Sequence, residues 1–511
     1  MVVETEVLIV GAGPTGLMLG CELRRRHIDC IVVDRAERID RRTRAVMVHA
    51  ASLEQLEGLG LRTETERRAV RQHRIAFHTR HGTRYHLDFD QLDTRHPYFL
   101  NIPQPEVEAV LAAEYQELGG TLVRALAYRS HQQTPGSVRS VLDSATGPLR
   151  IDSRFLVGAD GASSTVRESL AVAFPGTTYP MSYLLAEGTP EVSPDPDESA
   201  MYIGEGGAVS LLPLPDGTIR VAGPAAARLL DKDAALTHQA FQDTVDQLGF
   251  GPRLRLARPE RVAQYQVHER IAQTFRVGRV LLAGDAAHLN SPAGGQAMNT
   301  GFGDAAALSW RLAQALRPTT GFGADGSGGD EDLLDGYARE RPAAARAVAR
   351  STGVLNVLQS MREAVTDAQQ DAVRAALTGL AETWSQLYLT YPQATAIADG
   401  SESADGEVLP FDGTHRLRAG ARVPGPGPVP GRHTLLMRPG HVPDACDRAT
   451  ALPVATHADE LTARQARWLP ADAVAVLVRP DRHIAHVLRT PATAADAARS
   501  ATSQEAPAWA R

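Results

Sequence analysis

A glycine-rich turn near the start of the chain constrains the fold more than any other feature. Residues 6–10 form a short apolar run, residues 17–26 have the composition of a helix, and the turn GAGPTG lies between them. A second apolar run, Cys30–Val33, is followed by Asp34, which stands 18 residues after the last glycine of the turn. This order is typical of a βαβ unit in which the glycines bind a pyrophosphate and the acid binds a ribose. The pattern therefore predicts a Rossmann-like dinucleotide-binding domain.

A second informative stretch covers residues 279–316 and begins with a short apolar run at 280–283. The composition of this run is that of a strand buried on both faces of a sheet. Asp285 follows it directly, at the carboxyl end of the predicted strand, where ligands bind in open α/β sheets. We therefore expect Asp285 to contact the same ligand as the N-terminal turn.

The loop after this strand is rich in proline and glycine. Pro292, Gly294 and Gly295 are expected to interrupt regular structure and to let the backbone approach a flat ligand closely. A helix is predicted to begin near Met298 or Asn299, with its partially positive end directed at that ligand. A flat group that becomes anionic on reduction, such as the isoalloxazine ring of a flavin, fits these features.

Three further polar side chains are candidates for contacts to the same ligand. Arg44 precedes a segment with helical character, and its planar guanidinium could bind a pyrophosphate through two hydrogen bonds. Gln104 stands at the start of a predicted amphipathic helix, where it could contact the sugar chain of the ligand or simply face solvent. Asp160 follows another short apolar run, and Ser163 or Ser164 could cap the helix after it.

The remaining sequence suggests three structural units. Between residues 179 and 266 helical periodicity weakens and short β-like runs appear, which predicts a sheet inserted into the nucleotide-binding domain. Residues 75–100 are expected to contribute to this sheet. The nucleotide-binding domain would then comprise residues 1–178 and 267–395, and residues 405–511 would form a small C-terminal domain.

Bulk composition excludes several classes of protein. The net charge of -7 gives no basic character that would suggest a nucleic acid partner. No apolar run approaches the roughly 20 residues of a membrane span, and the acidic residues Glu4 and Glu6 argue against a signal peptide. Three scattered cysteines without a CxxC or zinc spacing predict a cytoplasmic protein without a metal site. Lys232 is the only lysine, so lysine-based catalysis is disfavoured.

These motifs, in this order, resemble those of the class A flavoprotein aromatic hydroxylases, the phenol hydroxylase and para-hydroxybenzoate hydroxylase superfamily. Within it the chain is most similar to the actinobacterial hydroxylases of aromatic polyketide biosynthesis. The segments that carry the resemblance are GAGPTG with Asp34, RAVMVHAASLE with Arg44, Gln104, GADGASSTVR, LLAGDAAHLNSPAGGQAMNTGFGDA and RPDRHIAHVL. The resemblance implies an α/β fold: a discontinuous FAD-binding Rossmann-like (GR2-type) domain, an inserted β-sheet substrate domain, and a C-terminal thioredoxin-like domain without CxxC.

The resemblance also implies which residues contact FAD. The expected contacts are Gly11, Gly13, Pro14, Thr15, Gly16, Asp34, Arg35, Arg44, Gln104, Asp160, Asp285, Pro292, Gly294, Gly295, Met298 and Asn299. In this set Asp34 would bind the adenosine ribose, Asp285 the ribityl hydroxyls, and Asp160 both FAD and the reductant. Pro292 is the one candidate for a catalytic position, as a backbone element beside the reacting ring, although a plain turn proline would look the same.

The chemistry implied by the resemblance requires little from side chains. NADPH or NADH would reduce FAD, O2 would form a flavin C4a-hydroperoxide, and a large polycyclic aromatic substrate would be hydroxylated by it. The reaction could also use a base that ionises a phenol. His86, Tyr202, Tyr265 and His288 have suitable side chains, and the sequence does not favour any one of them. A homodimer is compatible with this family.

Two other functions remain open at the level of sequence. The same cofactor could insert oxygen beside a ketone or quinone carbonyl in a Baeyer–Villiger reaction, and product analysis would separate that reaction from hydroxylation. The chain could also be a non-catalytic FAD-binding scaffold, in which case aromatic substrates would not stimulate NADPH oxidation.

Overall fold

The structure is a computed structural model that describes most of the N-terminal four-fifths of the chain and short C-terminal segments. The described residues are 2–40, 45–79, 84–204, 207–224, 237–247, 249–316, 329–350, 367–387, 389, 422, 434–437 and 475–488. Arg44, a predicted FAD contact, lies outside them. No helix in the described ranges is both long enough and apolar enough to cross a membrane.

The described residues contain 22 strands and ten α-helices. The strands are β1 (Val2–Val10), β2 (Cys30–Val33), β3 (Met47–Val48), β4 (Val70–Gln72), β5 (Arg74–Thr79), β6 (Arg84–Asp88), β7 (Phe99–Asn101), β8 (Thr121–Val123), β9 (Ala127–Gln133), β10 (Val138–Ser144), β11 (Gly147–Gly158), β12 (Gly176–Pro190), β13 (Glu198–Gly204), β14 (Gly207–Pro213), β15 (Ile219–Pro224), β16 (Leu256–Ile271), β17 (Arg276–Val277), β18 (Val280–Leu282), β19 (His288–Leu289), β20 (Thr434–Met437), β21 (Ala475–Val478) and β22 (Ile484–Leu488). The helices are α1 (Pro14–Arg25), α2 (Ala50–Gly58), α3 (Arg62–Arg67), α4 (Gln104–Glu117), α5 (Thr165–Ser169), α6 (His238–Gln247), α7 (Gly251–Leu254), α8 (Gln296–Leu316), α9 (Gly329–Arg350) and α10 (Asp367–Ser385).

A five-stranded parallel sheet forms the centre of the nucleotide-binding part. Its strand order is β18-β11-β1-β2-β8, and β9, β10 and β17 extend it in antiparallel fashion. The strands β2 and β18 are buried along their whole length, as expected for strands covered on both faces. Helix α1 packs against α4 and α8 on this sheet. The predicted βαβ unit is therefore confirmed, and so is the mixed α/β class.

A second sheet of eight strands has the order β19-β16-β12-β15-β14-β13-β5-β6. It is mostly antiparallel, and its longest strand pairing is that of β12 with β16. The sheet extends beyond the predicted segment 179–266, because β12 begins at Gly176 and β16 continues to Ile271. Strands β5 and β6 do join it, whereas β7, in the same predicted segment, pairs with β3 and β4 instead.

The two faces of the second sheet are covered by different elements. One face packs on α6 and α7 through residues such as Phe241 and Leu254. The other face, which includes Phe77 and Tyr85, packs on α10 through Leu377 and Trp384. Because α10 also contacts the loop before α8 through Trp384, it connects the second sheet to the predicted ligand site.

The described part of the C-terminal region consists mainly of an antiparallel sheet with the order β20-β21-β22. Apolar runs at residues 473–477 and 484–487 predict two strands, and β21 and β22 confirm them with bounds that differ by one or two residues. Apart from this sheet, the turn between β21 and β22, and Arg422, the predicted thioredoxin-like domain lies outside the described residues. That assignment therefore stays a prediction.

Candidate active site

The three glycines of the N-terminal turn serve different purposes. Gly11 has a φ of 112°, and a Cβ there would lie 2.2 Å from the carbonyl oxygen of Ala159. A Cβ at Gly16 would lie 2.0 Å from the carbonyl oxygen of Gly11. A Cβ at Gly13, in contrast, would meet no atom within 4 Å. The first and third glycines are therefore required for packing, and the middle one leaves space in front of the turn.

A cleft of ≈ 370 Å³ lies in front of this turn. Gly13 precedes α1 and provides no side-chain cap. Because Pro14, the first helical residue, has no N–H, the groups at this end that suit an anion in the cleft are the N–H groups of Thr15 and Gly16. The predicted residues that line the cleft are Gly11, Gly13, Asp34, Arg35, Gln104 and Asp160. Residues that line it without having been predicted include Arg38, Glu108, Arg124, Tyr128 and Thr165.

Asp34 is held in a fixed orientation at the end of β2. One carboxylate oxygen accepts a hydrogen bond from the backbone N–H of Ala12 at 2.7 Å, and the other accepts from that of Ala36 at 2.8 Å. A carboxylate oxygen can accept more than one hydrogen bond, so each retains capacity for a hydroxyl group. The position and remaining acceptors suit a ribose, as the sequence predicted.

Gln104 is the first residue of α4, and protein groups occupy its side chain. Its Oε1 accepts from the backbone N–H of Ala45 at 3.2 Å, and its Nε2 donates to Glu108 Oε1 at 2.8 Å. The side chain therefore fixes the segment that follows the predicted contact Arg44. Any contact to a ligand in the cleft would be additional to these two bonds.

Asp160 fastens α5 to the edge of the cleft. Its carboxylate accepts hydrogen bonds from Ser164 Oγ and from the backbone N–H of Val166. Burial raises the pKa of this carboxyl above its usual value. Ser164 also caps α5 by accepting from the N–H of Arg167 at 3.0 Å, so of the two predicted cap residues Ser164 is correct.

The second predicted stretch lies against the first through Thr15. A Cβ at Gly284 would lie 2.6 Å from Thr15 Oγ1, and a Cβ at Gly301 would lie 2.1 Å from the same atom. The side chain of Thr15 thus packs between the turn that carries Asp285 and the helix α8. Asp285 lies in a single turn of 3-10 helix, Gly284–Ala286, directly after β18. Neither Thr15 nor Asp285 is among the residues that line the cleft.

Asp304, which no sequence motif singled out, holds this turn in place. Its Oδ2 accepts from the N–H of Gly284 and from His288 Nε2, both at 2.8 Å, and its Oδ1 accepts from Arg341 Nε at 2.6 Å. Burial opposes ionisation, but Arg341 and His288 outweigh it and lower the pKa of the Asp304 carboxyl. An acid within the small apolar residues of GFGDAAAL was the available signal. His288 is fully buried in this network, which argues against its role as a base.

The other candidate bases lie apart from one another. His86 Nδ1 is 3.4 Å from Glu198 Oε2. The ring of Tyr202 packs against Phe250, on the sheet face that α6 and α7 cover. Tyr265 is 37% exposed, but its partial burial raises its pKa to about 12, so its phenol stays protonated at neutral pH. These contacts favour none of the three as a base.

The loop before α8 contains the expected break in regular structure. Residues Ala293–Gly295 form a single 3-10 turn, but Gly294 and Gly295 have left-handed φ values of 74° and 64° and interrupt its helical geometry, as predicted. A Cβ at Gly294 would lie 2.7 Å from the Trp384 ring, and one at Gly295 would lie 2.8 Å from Met47 Cβ. Both glycines are therefore needed because the protein packs closely behind the loop. Pro292 precedes this turn with an ordinary φ of -68°.

Helix α8 begins at Gln296, two residues before the predicted start. Met298 is buried, and the Asn299 side chain binds protein rather than solvent. Asn299 Nδ2 donates to the carbonyl oxygens of Met47 at 3.0 Å and Gly295 at 2.8 Å. Protein groups therefore occupy the side chain of Asn299.

These features fit an extended dinucleotide. The open space at Gly13, the uncapped start of α1 and the oriented Asp34 suit a pyrophosphate and its ribose. The second glycine-rich loop, at the carboxyl side of β18, suits a flat group at the other end of the same molecule. The fold and the site thus define a dinucleotide-binding protein of the Rossmann-like class.

Comparisons with known proteins place the chain within this class. Residues 4–352 match the family described as FAD binding domain. An anhydrotetracycline monooxygenase of Streptomyces rimosus is 32% identical over 431 residues, which are 82% of this chain and 80% of the relative. A rifampicin monooxygenase of Rhodococcus hoagii is 31% identical over 501 residues, 94% of this chain and 95% of the relative.

A solved structure gives the same result for the fold. The anhydrotetracycline hydroxylase of Streptomyces rimosus superposes with a TM-score of 0.72 and 28% identity, covering 99% of this chain and 100% of that chain. The chain therefore belongs to the FAD-dependent monooxygenase family of class A flavoprotein aromatic hydroxylases, as the sequence motifs suggested.

Proposed function

We propose that this monooxygenase uses NADPH or NADH and O2 to hydroxylate a large polycyclic aromatic substrate of the polyketide type. The observation that carries the proposal is the similarity over four-fifths or more of the chain to monooxygenases named for anhydrotetracycline and rifampicin. The route that the resemblance implies, through a flavin C4a-hydroperoxide, is part of the proposal. So are a cytoplasmic location, based on cysteine usage, and a homodimer.

The roles of individual residues belong to the same proposal. Bound FAD would supply the redox chemistry, while the protein binds it, orients it and excludes water. Gly11, Gly13 and the N–H groups at the start of α1 would bind the pyrophosphate, and Asp34 the adenosine ribose. The remaining proposed FAD contacts are Pro14, Thr15, Gly16, Arg35, Arg44, Gln104, Asp160, Asp285, Pro292, Gly294, Gly295, Met298 and Asn299.

The proposed domain division follows from these roles. Residues 1–178 and 267–395 would form the FAD-binding domain, and residues 179–266, with part of 75–100, would form the wall of the substrate site. Residues 405–511 would form the thioredoxin-like domain. The apolar packing of α10 on the second sheet supports a water-poor region between that sheet and the loop before α8.

Product analysis tests the proposed reaction. The purified protein would be incubated with FAD, with NADPH or NADH, and with a panel containing anhydrotetracycline, rifampicin and a single-ring phenol under ¹⁸O₂. We expect a multi-ring member of the panel to stimulate NAD(P)H oxidation and to gain one labelled oxygen as a hydroxyl group on a ring. A lactone or opened ring would indicate Baeyer–Villiger insertion instead, and unstimulated oxidation with all substrates would indicate a scaffold.

The binding role of Asp34 has a separate test. Replacing Asp34 with alanine removes the acceptor for the ribose and frees the N–H groups of Ala12 and Ala36. We expect the dissociation constant for FAD to rise about tenfold or more, because a charge-assisted hydrogen bond contributes about 1.5–3 kcal/mol. Fluorescence titration of the apoprotein measures it, with the exposed Asp90→Ala as control. Equal affinity in both variants would contradict the assigned role.

A further inference from the structure

Side-chain hydrogen bonds hold the carbonyl groups of Gly294 and Gly295 in the loop before α8. The carbonyl oxygen of Gly294 accepts from His49 Nε2 at 2.7 Å and from Gln296 Nε2 at 3.2 Å. The carbonyl oxygen of Gly295 accepts from Asn299 Nδ2 at 2.8 Å. Both carbonyl groups therefore point into the protein, toward β3 and α2.

This arrangement determines what the loop presents on its other side. In a planar trans peptide the N–H points opposite to the C=O. The N–H of Gly295 bonds to the carbonyl of Pro292 at 3.1 Å, and the N–H of Gln296 is directed away from Asn299 Nδ2. Gln296 is the first residue of α8, so the next N–H groups also lack partners within the helix. The loop thus offers donors, and no glycine carbonyl, to a ligand in front of it.

His49 is an unusual residue for its surroundings. Its side chain is fully buried, and its ring lies 6.4 Å from that of Phe89 and 6.1 Å from that of Phe99. Burial lowers the pKa of His49 to about 4, so the ring is neutral near pH 7. Because the Gly294 carbonyl can only accept a hydrogen bond, Nε2 carries the ring proton.

The second ring nitrogen, Nδ1, indicates that His49 does more than fill space in the apolar cluster. His49 Nδ1 is buried and has no hydrogen-bond partner among the residues that the structure describes. Leaving a buried polar atom unpaired destabilises the folded state, and a phenylalanine in the same cluster would avoid this cost. The imidazole offsets the cost of its unpaired Nδ1 with the hydrogen bond from Nε2 to the Gly294 carbonyl. The backbone N–H of His49 also donates to Asn299 Oδ1 at 2.8 Å, so one residue supports both carbonyl anchors.

We propose that His49 is a positioning residue for the flavin: it locks the Gly294–Gly295 peptide with its carbonyl away from the ring. Two consecutive glycines have little intrinsic resistance to rotation of the peptide between them. A rotated peptide would direct a carbonyl dipole at the ring as the ring gains negative charge, and so would oppose reduction. This inference rests on the proposed function, in which the loop faces the isoalloxazine.

Matched substitutions at His49 test the proposal. The amide nitrogen of glutamine can occupy the position of the imidazole Nε2, whereas that of asparagine reaches only the position of Nδ1. His49→Phe keeps the ring and removes both nitrogens. The flavin midpoint potential of each variant would be measured by reductive titration against a reference dye. We expect a more negative potential for His49→Phe and His49→Asn, and a potential close to that of the unmodified protein for His49→Gln.

A second measurement follows the consequence for turnover. With a substrate that the unmodified protein hydroxylates, His49→Phe and His49→Asn should release a several-fold larger fraction of the consumed NAD(P)H equivalents as hydrogen peroxide. His49→Gln should restore coupling. A residue that only filled space would be replaced best by phenylalanine, so the order of the variants separates the two roles.

Equal potentials in all variants that retain FAD would overturn the proposal. If His49→Phe fails to fold, the comparison between glutamine and asparagine decides, since both are polar and differ only in reach. Failure of the proposed function looks different: the unmodified protein would bind FAD but hydroxylate no substrate, and the potentials could still be compared.

Discussion

Asp304 shows how much of the site depends on one buried carboxylate. It binds the N–H of Gly284 and the ring of His288, which belong to one segment, and the guanidinium of Arg341 on α9. Arg341 also donates to the carbonyl of Thr300 at 3.0 Å, one turn before Asp304 in α8. The turn that carries Asp285 is thereby fixed to α8 and α9.

Asp304→Asn should therefore destabilise the protein. Asparagine matches the shape of aspartate, but its NH2 group would face a donor in either orientation, and Arg341 would lose its counter-charge. We expect the free energy of unfolding to fall by about 3–5 kcal/mol and FAD retention to fall with it. Denaturant titration with and without FAD measures both, and the exposed Asp371→Asn on α10 serves as control. A change no larger than that of the control would show that the network is not essential.

Glu382 on α10 is a partly buried acid whose pairing is incomplete. Its Oε2 has no hydrogen-bond partner among the described residues, and burial raises its pKa from 4.5 to about 7. The folded state therefore prefers the protonated form. The cost of the charged form is absent below about pH 4.5, grows between pH 4.5 and 7, and is fully present above about pH 7.

Glu382→Gln should stabilise the protein at pH 8 and have little effect at pH 4.5. Because Glu382 is only partly buried, solvent reduces the effect, and we expect a gain on the order of 1 kcal/mol. Urea unfolding at the two pH values measures it. A gain of the same size at both would contradict the assigned protonation.

At the scale of elements, the turn between β21 and β22 is attached to the FAD-binding part by buried ion pairs. Arg479 donates to both carboxylate oxygens of Glu340 on α9, at 2.8 Å each, and also binds Asp481. Asp481 in turn accepts from Trp310 Nε1 on α8 at 3.4 Å. Glu340 is the neighbour of Arg341, so α9 contacts the C-terminal turn with one residue and Asp304 with the next.

A second buried cluster joins the same turn to α2. The carboxylate of Glu54 binds Arg422 and Arg482, and Thr94 Oγ1 donates to it at 2.8 Å. Burial opposes its ionisation, but the two guanidinium groups outweigh this and lower the pKa of Glu54 from 4.5 to about 2. Its contribution to stability is present above about pH 4.5 and is lost as the pH falls toward 2.

Glu54→Gln should remove that contribution. A shift of this size corresponds to about 3 kcal/mol, so the variant should be less stable by about that amount at pH 7 and should lose less stability than the unmodified protein between pH 4.5 and 2. Denaturant unfolding across this pH range measures how steeply the free energy of unfolding changes with pH in the variant and in the unmodified protein. The matched control is Glu64→Gln, whose more exposed pairs with Arg67 and Arg68 should contribute less than about 1 kcal/mol. Parallel slopes for the Glu54 variant and the unmodified protein would contradict the prediction.

For the whole molecule, these clusters predict that the FAD-binding part depends on the C-terminal region. A chain ended at residue 400 would lack Arg422, Arg479 and Arg482, which pair with the buried Glu54 and Glu340. Glu340 would keep Arg311 as a partner, but the buried Glu54 would lose both of its guanidinium partners. An unpaired buried charge costs about 3–5 kcal/mol, so we expect a poorly soluble product that retains little FAD. Expression yield and absorbance at the flavin band measure this.

A compensated version of the shortened chain sharpens the test. Introducing Glu54→Gln into the shortened chain would remove the buried charge that has lost both partners while keeping the side-chain shape, and Glu340 stays unchanged because it still pairs with Arg311. Recovery of soluble, yellow protein would assign the loss to electrostatics. A shortened chain that is already as stable and as yellow as the full chain would show that the ion pairs are dispensable.

The sequence by itself determined the parts of the protein that depend on neighbouring residues. The GAGPTG turn, the strand Cys30–Val33 with Asp34 at its end, and the Ser164 cap follow from local backbone geometry and short-range hydrogen bonds, and the structure has them where they were predicted. The order of these motifs was also sufficient to indicate the family, because a cofactor as long as FAD requires contacts at both ends of one domain.

Only the tertiary structure decided which residues hold the site in place. His49 and Glu340 carry no local signal, and the signal of Asp304 is only that of an acid among small apolar residues. Each obtains its role from partners 16 to 250 positions away in the chain. The two loop glycines were assigned to ligand contact, but the atoms that exclude a side chain there belong to Trp384 and Met47. A sequence shows which residues allow unusual backbone angles and which carry charge. What they contact depends on how distant segments pack, and in this protein the packing places Asp304 on the turn at Gly284 and His49 on the loop before α8.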